Sequence, residues 1–128
     1  SGTVQVPNGK ESQYRKLIEV SVRKLQEQST TPAVAAVTAK QIALLYEKLG
    51  DIALARQYFD TARSYARQGA VRETEAEITG EYALLEQHAG NTAKASALAS
   101  ESLQIFRSLQ SDKLSTWEKL LEPLIRSR

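Results

Sequence analysis

Few residues in this chain are of a type that performs acid–base or nucleophilic chemistry. His88 is the only histidine, and none of the 128 residues is a cysteine. A catalytic histidine needs an orienting carboxylate and a nucleophile beside it, but Glu86, two residues away, falls on a different face of a helix. No Glu-x-x-His or His-x-x-x-His pair is present, so neither a di-iron nor a helical zinc pattern is supported. The sequence therefore predicts a protein that is not an enzyme and has no cofactor or metal.

A row of basic residues offers a different chemistry, the binding of phosphate or carboxylate. Arg56, Arg63 and Arg67 share one face of a predicted helix with Asp60, and Arg72 follows closely. Guanidinium groups hold such anions through two parallel hydrogen bonds. The alternative is a solvated face with pairs such as Arg56–Asp60. Because the net charge is only +2 and carboxylates interrupt the basic residues, nucleic acid is not an expected partner.

The composition favours a helical fold that would position these side chains. Apolar residues make up 41% of the chain and charged residues 25%, which is typical of a globular protein. Ala, Leu, Glu, Gln, Lys and Arg dominate, and these residues lose least on entering a helix. We predict an all-α domain of six antiparallel helices with these bounds: 10–28, 32–49, 52–68, 71–89, 92–109, and a last helix around Leu114–Leu121.

Helix stop and start signals set the predicted boundaries. Gly50-Asp51 and Gly90-Asn91 each combine a left-handed stop with a capping side chain. Thr31 is placed to cap the helix that Pro32 begins. For the last helix we predict a cap at Asp112 or, alternatively, a capping box of Ser115 and Glu118. Pro123 would clash inside that helix, so we expect a kink or an end near Glu122.

The ends of the chain and its lack of a membrane segment give further expectations. Residues 1–9 are predicted to be a flexible lead-in, and 10–128 a single domain. The chain has no Met and opens Ser-Gly-Thr, which we interpret as a fragment of a larger multidomain protein that begins with vector-derived residues. No apolar run is long enough to cross a membrane, and no signal peptide is recognised. We expect a cytoplasmic protein.

Two stretches of the sequence repeat with a period of forty residues, Gln41–Gln68 and Glu81–Ser108. Ala43, Tyr46, Gly50, Ala55, Phe59 and Ala62 follow the small, aromatic and turn positions of the tetratricopeptide repeat, and the first unit resembles that family. The second unit keeps Ala83, Gly90 and Ala95 but has Glu86, Ala99 and Ser102 at the remaining positions. The resemblance implies a superhelix of two helical hairpins with flanking helices. The alternative is a generic helical bundle.

The resemblance also implies a concave groove that binds a peptide or a partner helix. Its candidate residues are Lys40, Leu44, Glu47 and Lys48 in the first unit and Glu77, Leu84, Gln87 and His88 in the second. Alternatively, Leu44 and Leu84 pack against a flanking helix. The members of the family that bind acidic tails have an Asn at the position of Leu44, so binding of such tails is not expected.

The sole tryptophan, Trp117, has two alternative roles. It is predicted to close the end of the helical array by burying its large side chain. If a neighbouring helix is missing, however, Trp117, Leu121 and Leu124 would be exposed and would mediate self-association into a homo-oligomer. The leading expectation from the sequence is a protein-binding module; the alternatives are a homodimer and a binder of phosphate or nucleic acid through the arginine row.

Overall fold

The computed structural model describes residues 9–126, and it confirms the predicted all-α class. The middle four helices begin and end within one residue of their predicted bounds, whereas the first ends at Leu25, short of Gln28. The lead-in lies, apart from Gly9, outside the described residues. In that range there are six helices and no strand: α1 (Lys10–Leu25), α2 (Pro32–Lys48), α3 (Ile52–Gln68), α4 (Arg72–His88), α5 (Thr92–Ser108) and α6 (Leu114–Arg126).

Three of the turns end their helices in the same way. Gly50 and Gly90 have φ of 79° and 83°, as the stop signals predict. In each turn the residue after the left-handed position donates its backbone N–H to a carbonyl five residues earlier, which is the Schellman arrangement. These bonds are Asp51 to Tyr46 at 3.0 Å, Asn91 to Glu86 at 2.9 Å and Ser111 to Phe106 at 3.1 Å. The chain therefore reverses sharply after α2, α4 and α5.

The capping side chains differ from one turn to the next. Thr31 accepts from the Val34 N–H at 3.3 Å and Asp51 from the Leu54 N–H at 3.1 Å, which confirms both predicted caps. Asn91 takes the capping position but makes no such bond, so that part of the prediction is wrong. A neutral amide gains less than a carboxylate from the helix N-terminal dipole.

The start and the end of α6 both differ from the prediction. The helix starts at Leu114, which excludes Ser115 as its cap, and Asp112 makes no capping bond. Instead Ser111 accepts from the Lys113 N–H at 3.1 Å. The helix also runs through Pro123 to Arg126, so an end near Glu122 is wrong, and the alternative of a kink there stays a prediction. Pro123 and Lys119 are both exposed, and water can therefore solvate the Lys119 carbonyl that proline leaves without its usual partner.

Backbone contacts divide the chain into two compact units, Ser1–Gly69 and Ala70–Arg128. The boundary falls inside the stretch that the sequence predicts as one domain. In the first unit α2 packs along α3, and α1 packs on α2; in the second, α4 packs along α5, and α6 contacts both. Phe59 and Ile42 are fully buried in the first unit, and Phe106 and Leu121 in the second. No helix among residues 9–126 is both long and apolar enough to span a membrane.

Candidate interaction surfaces

In the first unit, the predicted groove residues lie along the side of α2. Lys40, Leu44 and Glu47 are half-buried and Lys48 is exposed, and the last three line one shallow cavity. The flanking helix α1 reaches this side, because the Lys48 ammonium lies 5.8 Å from the centre of the Tyr14 ring. The alternative in which Leu44 packs against a flanking helix is therefore partly realised: α1 approaches it and leaves a gap.

That gap is an apolar groove between α1 and α2. It has a volume of about 280 Å³ and is lined by Leu17, Ser21, Gln41, Leu44 and Leu45. Leu17, Ile18 and Leu25 are spaced as apolar residues on one side of a helix, yet 53% of the Leu17 surface is exposed. Of the α1 residues, only Ile18 is fully buried. The reason is that α1 packs against a single helix, α2, which can cover only one narrow stripe.

Further exposed apolar residues lie on the same two helices. Val34 and Val37 on α2 are 43% and 40% exposed, and Val20, on the side of α1 away from Ile18, is 50% exposed. Val34, Val37 and Leu44 have the three- and seven-residue spacing of one helical side. Four of the six large apolar residues that are exposed within residues 9–126 thus lie on these two helices. We call the surface around the groove the α1/α2 apolar face: Leu17, Val34, Val37, Leu44 and Leu45.

In the second unit, α6 covers part of the predicted groove. A Cβ atom at Gly80 would lie 2.6 Å from Cζ3 of Trp117, so the indole ring is seated on the bare backbone of α4. Glu77, one turn earlier, accepts a hydrogen bond from the Lys113 ammonium at 2.9 Å. Leu84 and Gln87 are half-buried, and His88 is exposed at the end of α4. The groove positions nearest α6 are therefore occupied by the chain itself.

A small charged cluster fixes the loop before α6 to α4. The Lys113 ammonium lies 3.3 Å from a carboxylate oxygen of Glu73, and the Ser111 hydroxyl donates to Glu73 at 2.7 Å. The hydrogen bond from Ser111, followed by that from Lys113, lowers the pKa of Glu73. Hydrogen bonds to Glu77 and then to Glu73 raise the pKa of Lys113. Both carboxylates are thus paired with side chains of the loop before α6.

Glu86, one of the positions at which the second unit departs from the repeat pattern, belongs to a small polar cluster. Glu86, fully buried, lies 3.3 Å from the ammonium of Lys94, which also donates to the Tyr82 hydroxyl at 2.8 Å. Burial opposes the charge on Lys94, but the hydrogen bond to the Tyr82 hydroxyl and the electrostatic attraction of Tyr82 and Glu86 outweigh it and raise the pKa of Lys94. At the equivalent site of the first unit, Tyr46 instead stacks on Tyr58 at 5.8 Å.

The candidate arginine row is divided between the two units. Arg56, Arg63 and Arg67 lie on α3 in the first unit and Arg72 at the start of α4 in the second. All three arginines of α3 have interactions within the chain, and Arg72 donates to the buried Glu75 at 2.7 Å. Each of these cations therefore already has an interaction within the chain.

The apolar residues of α6 are buried within their own unit. Trp117 is 9%, Leu121 0% and Leu124 6% exposed, and the Trp117 ring stacks on Phe106 with 5.9 Å between centres. These three residues close the end of the α4–α5 hairpin. Most of the large apolar residues that stay exposed within residues 9–126 lie instead on α1 and α2.

Nothing in residues 9–126 assembles a metal centre, since no group of three His, Asp or Glu side chains converges there. His88 is exposed at the end of α4. A scan against protein-family models gave no match, and comparisons with curated proteins and with solved structures gave none either. The candidate site thus rests on the geometry of the chain itself.

Proposed function

We propose that this protein is a non-catalytic, tetratricopeptide-like interaction module that binds a peptide or a partner helix. The observation that carries the proposal is the α1/α2 apolar face. Single exposed apolar residues are ordinary on a protein surface, but a contiguous set that rims a groove is typical of an interaction site. The arginine row and the Trp117 surface are less suitable as binding sites, because the arginines already interact within the chain and Trp117 is buried.

The repeat resemblance supports the same proposal. The two hairpins have Gly50 and Gly90 at their turns and small buried residues, Ala43 and Ala83, where helices approach closely. Such units display helix surfaces to partners and rarely contain catalytic sites. We infer a cytoplasmic setting, with which the cysteine-free sequence is compatible.

Site-specific photo-crosslinking tests this proposal directly. A benzophenone amino acid replaces Val37 in the centre of the face or, as the matched control, Gln57, which is exposed on α3 of the same unit. After irradiation in extracts of the source cells, we expect discrete protein adducts from position 37 and only background from position 57. Identical adduct patterns from the two positions would refute a binding site on this face.

A further inference from the structure

The α1/α2 apolar face has the dimensions of a site for a helix. On α2 it extends from Val34 to Leu45, and at about 1.5 Å per residue this is roughly 16 Å, or three turns. On α1, Leu17 forms the opposite wall, and Ser21 and Gln41 complete the lining. A partner helix inserts apolar residues into such a groove at positions i, i+3, i+4 and i+7.

The charges around this face are nearly all of one sign. Lys10 and Lys24 lie seven residues before and after Leu17, which places both on the exposed side of α1. Lys40 and Lys48 lie four residues before and after Leu44 on α2. The ammonium groups of Lys10, Lys24 and Lys40 make no hydrogen bond or ion pair with any described residue, whereas Glu47, the one carboxylate on this side of α2, has a partner within the chain.

From this arrangement we infer that the occupant is an amphipathic helix whose apolar side is flanked by aspartate or glutamate. The inference rests on the proposed function and specifies the class of partner. Carboxylates beside the inserted apolar residues would face the four lysines and favour association. A second copy of this chain is a poor occupant, because a symmetric dimer through this face would place lysines against lysines.

Binding of designed helical peptides tests the inference on the intact chain. Three labelled peptides share one leucine side and carry Glu, Lys or Gln on its flanks, and fluorescence anisotropy gives Kd at low and high salt. We expect the Glu peptide to bind roughly tenfold more tightly than the Gln peptide, with the Lys peptide weaker still, because several exposed ion pairs add. The preference should shrink as salt screens the charges.

Variants of the protein assign the effect to this surface. Lys40→Glu should weaken binding of the Glu peptide several-fold and improve that of the Lys peptide. Lys119→Glu, an exposed change on α6 with the same change in charge, should leave the order of the peptides unchanged. Val37→Asp should weaken all three peptides by roughly tenfold or more, and circular dichroism shows whether each variant keeps its helices.

The outcomes separate this inference from the proposed function. Equal binding of the three peptides, all weakened by Val37→Asp, would overturn the acidic preference and leave an interaction face in place. No binding of any peptide, together with a dimer in sedimentation that Val37→Asp dissociates, would make a second copy the occupant and overturn the inference. No peptide binding, a monomer and no crosslinks from position 37 would overturn both.

Discussion

Gly80 on α4 and Trp117 on α6 lie so close together that a Cβ atom on Gly80 would be 2.6 Å from Cζ3 and 2.8 Å from Cε3 of the indole. A glycine inside a helix ordinarily costs about 1 kcal/mol relative to alanine. Here the absence of a side chain at Gly80 leaves the space that the Trp117 indole occupies. The Phe106 ring stacks on this indole, with 5.9 Å between the ring centres.

We therefore expect Gly80→Ala to destabilise the protein by about 1–3 kcal/mol, since the overpacking outweighs the gain in helix propensity. Urea unfolding followed by far-ultraviolet circular dichroism measures the change. In a Trp117→Phe background the clashing ring atoms are gone, so the same substitution should cost less. A Gly80→Ala variant that is more stable than the wild type would contradict the close approach of Trp117 to Gly80.

Ala70 is in the left-handed conformation, with φ of 54°, although glycine occupies the position before it. Non-glycine residues pay about 1–2 kcal/mol there. Ala70→Gly removes this cost, but the greater unfolded-state entropy of glycine offsets part of the gain. We therefore expect the free energy of unfolding, measured by thermal unfolding, to rise by about 0.5–1 kcal/mol.

Gly69 provides the control for the Ala70 variant. Its φ is ordinary, but a Cβ atom there would meet the Ala33 nitrogen at 3.2 Å and Pro32 Cβ at 3.3 Å. Gly69→Ala should therefore not stabilise the protein, although it improves helix propensity. If Gly69→Ala stabilised and Ala70→Gly did not, this assignment of the two positions would be wrong.

Lys94→Met should destabilise the second unit, because it removes an ion-pair partner of the buried Glu86 carboxylate. Removing a partner from a buried ion pair costs about 3–5 kcal/mol; because the Lys94 side chain is 41% exposed, we expect about 2 kcal/mol. Chemical unfolding at pH 7 measures the loss. Glu86→Gln in the Lys94→Met background should restore part of the loss, since the side chain at position 86 is then uncharged, and an equally unstable double variant would contradict this account.

The cluster of Glu73, Ser111 and Lys113 should make stability depend on pH at both extremes. The pKa of Glu73 is lowered, so its contribution is full above the unfolded value of about 4.3 and is lost as pH falls through the folded pKa. The pKa of Lys113 is raised, so its contribution is full below about 10.4 and is lost as pH rises through the folded value.

Lys113→Met tests this pH dependence against the control Lys119→Met. The difference in stability between wild type and Lys113→Met should be largest between pH ~5 and ~10 and should narrow at both ends. Lys119→Met should give a difference that varies little over that range. A difference for Lys113→Met that is independent of pH would show that the cluster does not stabilise the fold.

The sequence alone determined the helical class, the bounds of the middle helices and the sharp turns at Gly50 and Gly90. These features depend on local physics: helix propensity, the left-handed freedom of glycine, and caps such as Thr31 and Asp51, all set by residues close in the chain. The same local signals failed at Asn91, Asp112 and Pro123, where solvent and tertiary contacts decide between nearly equal alternatives.

Only the tertiary structure decided which apolar residues are buried. Trp117 and Leu17 both belong to apolar helical stripes in the sequence, yet Trp117 is seated on Gly80, whereas Leu17 remains half exposed. The physical reason is that burial depends on how many neighbours pack against a helix: α6 contacts two helices, α4 and α5, whereas α1 packs on α2 alone. That difference leaves the α1/α2 apolar face open as the candidate binding site.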